Sequence, residues 1–198
     1  MLCGPLAALS PGLIALIAIC GFAFLVLVWF VAVRNGFVTR RMQVKNGWAQ
    51  IDVQLKRRHD LIPNLVESVK GYMGFEKEVL ENITRARSEA MKVSGQGAAA
   101  QVGPEAALTA ALGRFYAVME NYPDLKSNVN VGQLMEELTA TENRIAFARQ
   151  HYNDEVMRYN TSIQLFPASI VANICGFTAE AFFEIQAPER EVPKVSLR

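Results

Sequence analysis

Apolar and small residues recur at Val44, Trp48, Ile51, Leu55, Ile62, Leu65, Val69 and Tyr72. Their intervals alternate between four and three, the heptad-like stripe of a helix packed against other helices, as in a coiled coil. Arg58 fills the gap between Leu55 and Ile62, so a cation stands at a core-facing position. Gly71 and Gly74 then weaken the helix and mark its end. A second helix is predicted from Phe75 to about Val93, followed by the small-residue loop SGQGAAAQVG. Pro104 suits the first turn of a third helix, which should end near Tyr122, before Pro123. A fourth runs from about Val131 to Leu165 on the stripe Leu134, Leu138, Thr141, Ile145, Ala148, Tyr152, Val156, Tyr159 and Ile163, with Glu155 beside it. Pro167 stops or kinks it. No strand-like alternation occurs.

A different pattern precedes these helices. Leu13 to Val33 is LIALIAICGFAFLVLVWFVAV, uncharged throughout and long enough to span a bilayer core of about 20 helical residues. A cleaved signal peptide would need a basic start and a shorter apolar run. Arg34, Arg40, Arg41 and Lys45 follow the span, and no cation precedes it. The positive-inside rule then puts the N-terminus outside and the helical region in the cytoplasm. These four cations are also well placed for anionic headgroups.

The fold class is therefore all-α. A single N-terminal transmembrane helix leads into an up-and-down four-helix bundle with two long and two short helices. Residues 1–33 form the leader and span, 34–166 the bundle, and 167–198 an apolar membrane-proximal segment and tail. Because the first and last helices are about twice as long as the middle two, the half near the membrane would hold only two helices. Phe37, Trp48, Tyr152, Tyr159 and Phe166 should then be partly exposed and await a partner. The stretch LFPASIVANICGFTAEAFF, Leu165 to Phe183, carries no charge before Glu180. It either caps the bundle base or meets the bilayer or a neighbouring subunit. The expected oligomer or membrane contacts are Trp48, Tyr159, Phe166, Ile170, Ile174 and Phe177.

Lys56, Arg57 and Arg58 need an account of their own. Counting equal numbers of residues along antiparallel first and fourth helices brings Arg58 level with Thr141 and Glu142. A structural polar layer of Lys56, Arg57 and Arg58 with Glu142 and Glu137 or Glu136 is predicted, since a buried unpaired charge is very costly. A solvated face or a partner surface are the other readings. Pro63, inside the stripe, removes a donor that would bond the carbonyl of His59, so a kink is expected there.

Composition narrows function by exclusion. The 198 residues carry a net charge of +1, which gives no global field for nucleic acid. Two histidines, three cysteines and no CxxC offer no zinc signature. Neither histidine has the Glu-x-x-His spacing of a metal-binding bundle, because Lys56 and Ala148 stand three residues before them. His151 with Glu155 is an ordinary surface pair. No phosphate loop or nucleophile motif occurs, so no enzyme activity, catalytic residue, metal or cofactor is implied.

Three stretches carry a resemblance: WAQIDVQLKRRHDLIPNLVESVKGY with EKEVLENITRAR, ENYPDLKSNVNVGQLMEELTATENRIAFARQHYND, and YNTSIQLFPASIVANICGF. Together they resemble the LemA family, over residues 35 to 177. The resemblance implies a bacterial membrane-anchored helical bundle without an established enzymatic activity, so it leaves function open. The expected function is a non-enzymatic inner-membrane scaffold that self-associates and organises or remodels the membrane. The alternative is an adaptor or sensor recruiting another membrane protein, such as a protease or signalling component. The expected partners are the lipid bilayer and further copies of the chain, with no nucleic acid.

Overall fold

The computed structural model of the chain describes residues 11–71 and 76–184. Tyr72, Gly74 and Phe75, named above, lie outside them. The described residues form α1 (Pro11–Lys70), α2 (Lys77–Lys92), α3 (Ala98–Met119), α4 (Pro123–Lys126), α5 (Val129–Gln164) and α6 (Ala168–Ile174), with no strand among them. The apolar leader and the first stripe are one unbroken helix of 60 residues. It continues through Pro63.

The third helix starts six residues earlier than the position of Pro104 indicates. Three alanines, Ala98 to Ala100, favour helix strongly enough to extend it. The loop shrinks to its glycines, with Gly95 and Gly97 at φ 78° and 90°, a region side chains rarely adopt. Pro123 opens the extra short helix α4 from its first turn. At the start of α5 the Asn128 side chain accepts from the backbone N–H groups of Asn130 and Val131, a conventional cap.

The chain divides into two compact units: residues 1–42 with 158–179, and 43–157 with 180–198. The second holds the main core. Ile62, Leu65 and Val69 of α1 meet Val79, Ile83 and Ala90 of α2, Leu108, Leu112, Phe115 and Met119 of α3, and Val131 and Leu138 of α5. Arg58 is level with Glu142, and Gly47 with Tyr152, so α5 runs antiparallel to α1 here. At Gly47 the helices approach closely, since a Cβ there would lie 3.3 Å from the Tyr152 Cα.

The two-helix part of this unit is not left bare. The Tyr152 hydroxyl donates to the Ala181 carbonyl at 2.8 Å. The Phe183 backbone pairs both ways with the Asn153 side chain. The Phe183 ring packs edge-on against Trp48, which also meets Tyr152. Tyr152 is buried as a result, and Trp48 half-buried. Burial, then the charge of Glu180, pushes the Tyr152 hydroxyl up to a pKa of about 12.

In the first unit, the Phe37 ring packs on Phe177, and the Tyr159 hydroxyl donates to the Thr178 carbonyl at 3.0 Å. Arg40 donates to the carbonyl of Arg158 at 3.2 Å. Gly176, at φ 69°, turns the chain back after α6. The expectation that Phe37, Tyr152 and Tyr159 stay exposed is therefore corrected. The returning segment supplies the rings and carbonyls that cover them, a local pairing that helix lengths do not reveal.

Candidate functional site: a buried ionic layer and an apolar span

Arg58 lies at a core-facing position of α1, and its side chain has no exposed surface. Its guanidinium meets three oxygens. One terminal nitrogen donates to Glu105 of α3, which is equally buried. The other donates to Glu142 of α5 at 2.5 Å and to the Thr109 hydroxyl at 3.0 Å. Glu142 keeps 42% of its side chain exposed, so Glu105 is the inner partner. On the next residue, His59 Nε2 stands 2.9 Å from the second oxygen of Glu105, a hydrogen bond when that nitrogen carries the proton.

Glu105 responds to these neighbours. Burial works to raise its pKa, but the His59 hydrogen bond and the Arg58 charge outweigh burial and hold it below its ordinary value of 4.5. Tyr116, close by, is pushed up mainly by burial. A hollow of about 200 Å³ lies beside the layer, lined by Thr109, Tyr116, Thr139 and Glu142 among others.

Pro63 belongs to the same construction. It has no N–H to offer the His59 carbonyl four residues back. The Arg87 Nε of α2 donates to that carbonyl instead, at 2.6 Å. The cation run and the proline thus act together. Three helices reach α1 through its polar groups: α3 and α5 through Arg58, and α2 through the carbonyl Pro63 leaves free.

Of the predicted layer, the structure joins Arg58 to Glu142 in the interior and Arg57 to Glu137 at the surface, 3.4 Å apart with both half exposed. Lys56 is exposed. Sequence reasoning missed Glu105, Thr109 and Arg87, and saw the His59 side chain only as a rejected metal ligand. A signal for Glu105 was present. Gln101, Glu105, Leu108, Leu112, Phe115 and Met119 follow the helical stripe of α3, which places a carboxylate at a core position. Among the described residues, no group of three or more His, Cys, Asp or Glu converges.

Of the predicted contact residues, Tyr159 is fully buried and so turns inward rather than toward a partner. Phe177 is half-buried against Phe37. Phe166, Ile170 and Ile174 are exposed. Arg34 and Lys45 are exposed on α1, near Arg40 and Arg41.

The N-terminal part of α1 is long and apolar enough to cross a membrane, and none of its most apolar window is buried. Among the described residues the chain is helical without strands, with one helix apolar enough to cross a membrane and a core tied by a buried ion pair, and that is the class defined here. A family model, the LemA family, matches residues 47–197, and the chain belongs to that family. It is 26% identical over 186 residues to the magnetosome protein MamQ of Magnetospirillum gryphiswaldense, covering 82% of this chain and 68% of that one. MamQ 2 of Paramagnetospirillum magneticum is 27% identical over the same coverage. Protein LemA of Metamycoplasma hominis is 26% identical over 161 residues, covering 81% of this chain and 73% of that one.

Proposed function

We propose that the protein is a non-enzymatic scaffold of the bacterial inner membrane that self-associates through the outward face of α1. In this reading α1 crosses the bilayer with its N-terminus outside. The cytoplasmic helices form an up-and-down four-helix bundle, and assembled copies organise or remodel the membrane.

The observation that carries the reading is a second apolar strip on α1. Val31, Val38, Met42, Ala49 and Val53 are spaced at seven, four, seven and four, on the side opposite the buried stripe, and all are exposed. Such spacing suits packing against a parallel helix. Copies anchored by the same helix share one orientation, so each strip meets an equivalent helix running parallel to it. Beside Val53 lies a hollow of about 560 Å³ with Arg144, Phe147 and His151 on its α5 side. Phe147 is 74% exposed, a bulky ring that a neighbouring helix would cover.

Cross-linking in native membranes tests this. The chain would carry Ser at positions 3, 20 and 175 and the substitution Val53→Cys, treated with a short thiol cross-linker. A covalent dimer at twice the chain mass is expected, and none from Glu81→Cys on α2. Val53→Cys chains that stay single, or that link only to a different protein, would remove the scaffold and favour the adaptor.

A further inference from the structure

Phe166 is 82% exposed, at the end of a long helix in a segment otherwise well tied to its surroundings. Leu165, Ile170 and Ile174 are exposed beside it in sequence, while Val171 and Ala172 are buried. The short helix α6 is therefore two-sided. One side packs inward, and the other presents large apolar groups. From Tyr159 to Ala179 no residue carries a charge.

The level of this cap can be counted within its own unit. Arg40 of α1 bonds the carbonyl of Arg158 of α5. Seven residues onward from Arg158 is Leu165, and seven residues back from Arg40 is Val33. At 1.5 Å per residue both steps cover about 10 Å. Val33 is the last residue of the uncharged stretch, and Arg34 is the first cation after it. Burial along α1 agrees. Phe30 and Val33 are half-buried and Phe37 is buried, on a helix whose residues 12–29 are all exposed. The end of α5 and α6 thus stand beside α1 where its apolar span meets its cations.

We infer that the cap formed by Leu165, Phe166, Ile170 and Ile174 is a second membrane contact, seated in the headgroup and upper acyl region of the same bilayer that α1 crosses. Three further features fit this occupant. The cap has no charge to desolvate. Its backbone is largely self-satisfied: Ser169, Ile170, Cys175, Gly176 and Phe177 donate to carbonyls within residues 165–173. The apolar surface is also continuous in level with the span, so immersion needs no movement of the cap. Arg34 and Arg40 lie at the height where anionic headgroups are met. The inference rests on anchoring by α1 and not on self-association.

Spin labels in lipid nanodiscs holding one full-length chain each provide the test. With the native cysteines replaced by Ser, labels enter at Ile170→Cys or Ile174→Cys, with Leu25→Cys and Val129→Cys as references. All four side chains are exposed, so the fold should tolerate each label, and a thermal melt checks this. Collision with oxygen is compared with collision with a water-soluble nickel chelate. The ratio at 170 and 174 should exceed that at 129 several-fold and approach that at 25. A water-like ratio at 170 and 174, with a lipid-like ratio at 25, would overturn the cap contact and leave the anchor standing. A water-like ratio at 25 as well would overturn both. Shielding from both reagents, with spin–spin broadening that grows as more chains are loaded per disc, would assign the cap to a second copy instead.

Discussion

Arg58 carries a full positive charge at a position where a heptad stripe calls for an aliphatic side chain, and α3 and α5 supply its partners. Glu105 and Glu142 differ in one respect that separates their effects: the first is buried and the second is half exposed. Glu105→Ala leaves an arginine and His59 facing a void, and should cost about 3–5 kcal/mol, the range for breaking a buried pair. Glu142→Ala removes a partner water can replace, and should cost about 1 kcal/mol. Thermal melts rank the two. Equal losses would mean that both carboxylates are solvated alike. The pH dependence follows from the direction of the Glu105 shift. Its folded pKa lies below 4.5, so its contribution is complete above that value and is lost as pH falls through the lower folded value. Acidification below about pH 4.5 should therefore lower the melting temperature more steeply in the native chain than in Glu105→Gln.

At the scale of elements, α1 shows what was legible in the chain and what was not. The stripe from Val44 to Val69 could be read because apolar spacing states which face is buried. Level-matching then found Glu142, because α1 and α5 are long and their register follows from counting. Glu105 escaped because the third helix was started at Pro104, which put this carboxylate in a first turn instead of a mid-helix core position. The pairing of Tyr159 with Thr178 and of Tyr152 with Ala181 was illegible for another reason. It depends on a chain reversal at Gly176, and carbonyls leave no trace in a hydropathy pattern. The proline in the stripe belongs here too. If Arg87 exists to serve the carbonyl that Pro63 leaves free, the two residues must be coupled. Arg87→Met should cost about 1–2 kcal/mol in the native chain, for an orphaned carbonyl. It should cost clearly less after Pro63→Ala, whose restored N–H bonds His59 again. A double-mutant cycle reads the difference, and additive losses would contradict the coupling.

For the whole molecule, one helix serves three ends. Its first part is long and apolar enough to cross a membrane, its inner stripe builds the core with α2, α3 and α5, and its outer strip is exposed. Burial of the aromatic pair partners by the returning segment removes Tyr159 from the set of contacts. Exposed apolar side chains include those of the α1 strip, Phe147 and the outer side of α6. The most direct test of self-association is the mass of the full-length protein in mild detergent, measured by light scattering, beside the variant Met42→Glu, Val53→Glu. Both substituted side chains are exposed, so the fold should survive the change. The account predicts a particle of several chains for the native protein and a single chain for the variant. A native protein that is strictly one chain would contradict it.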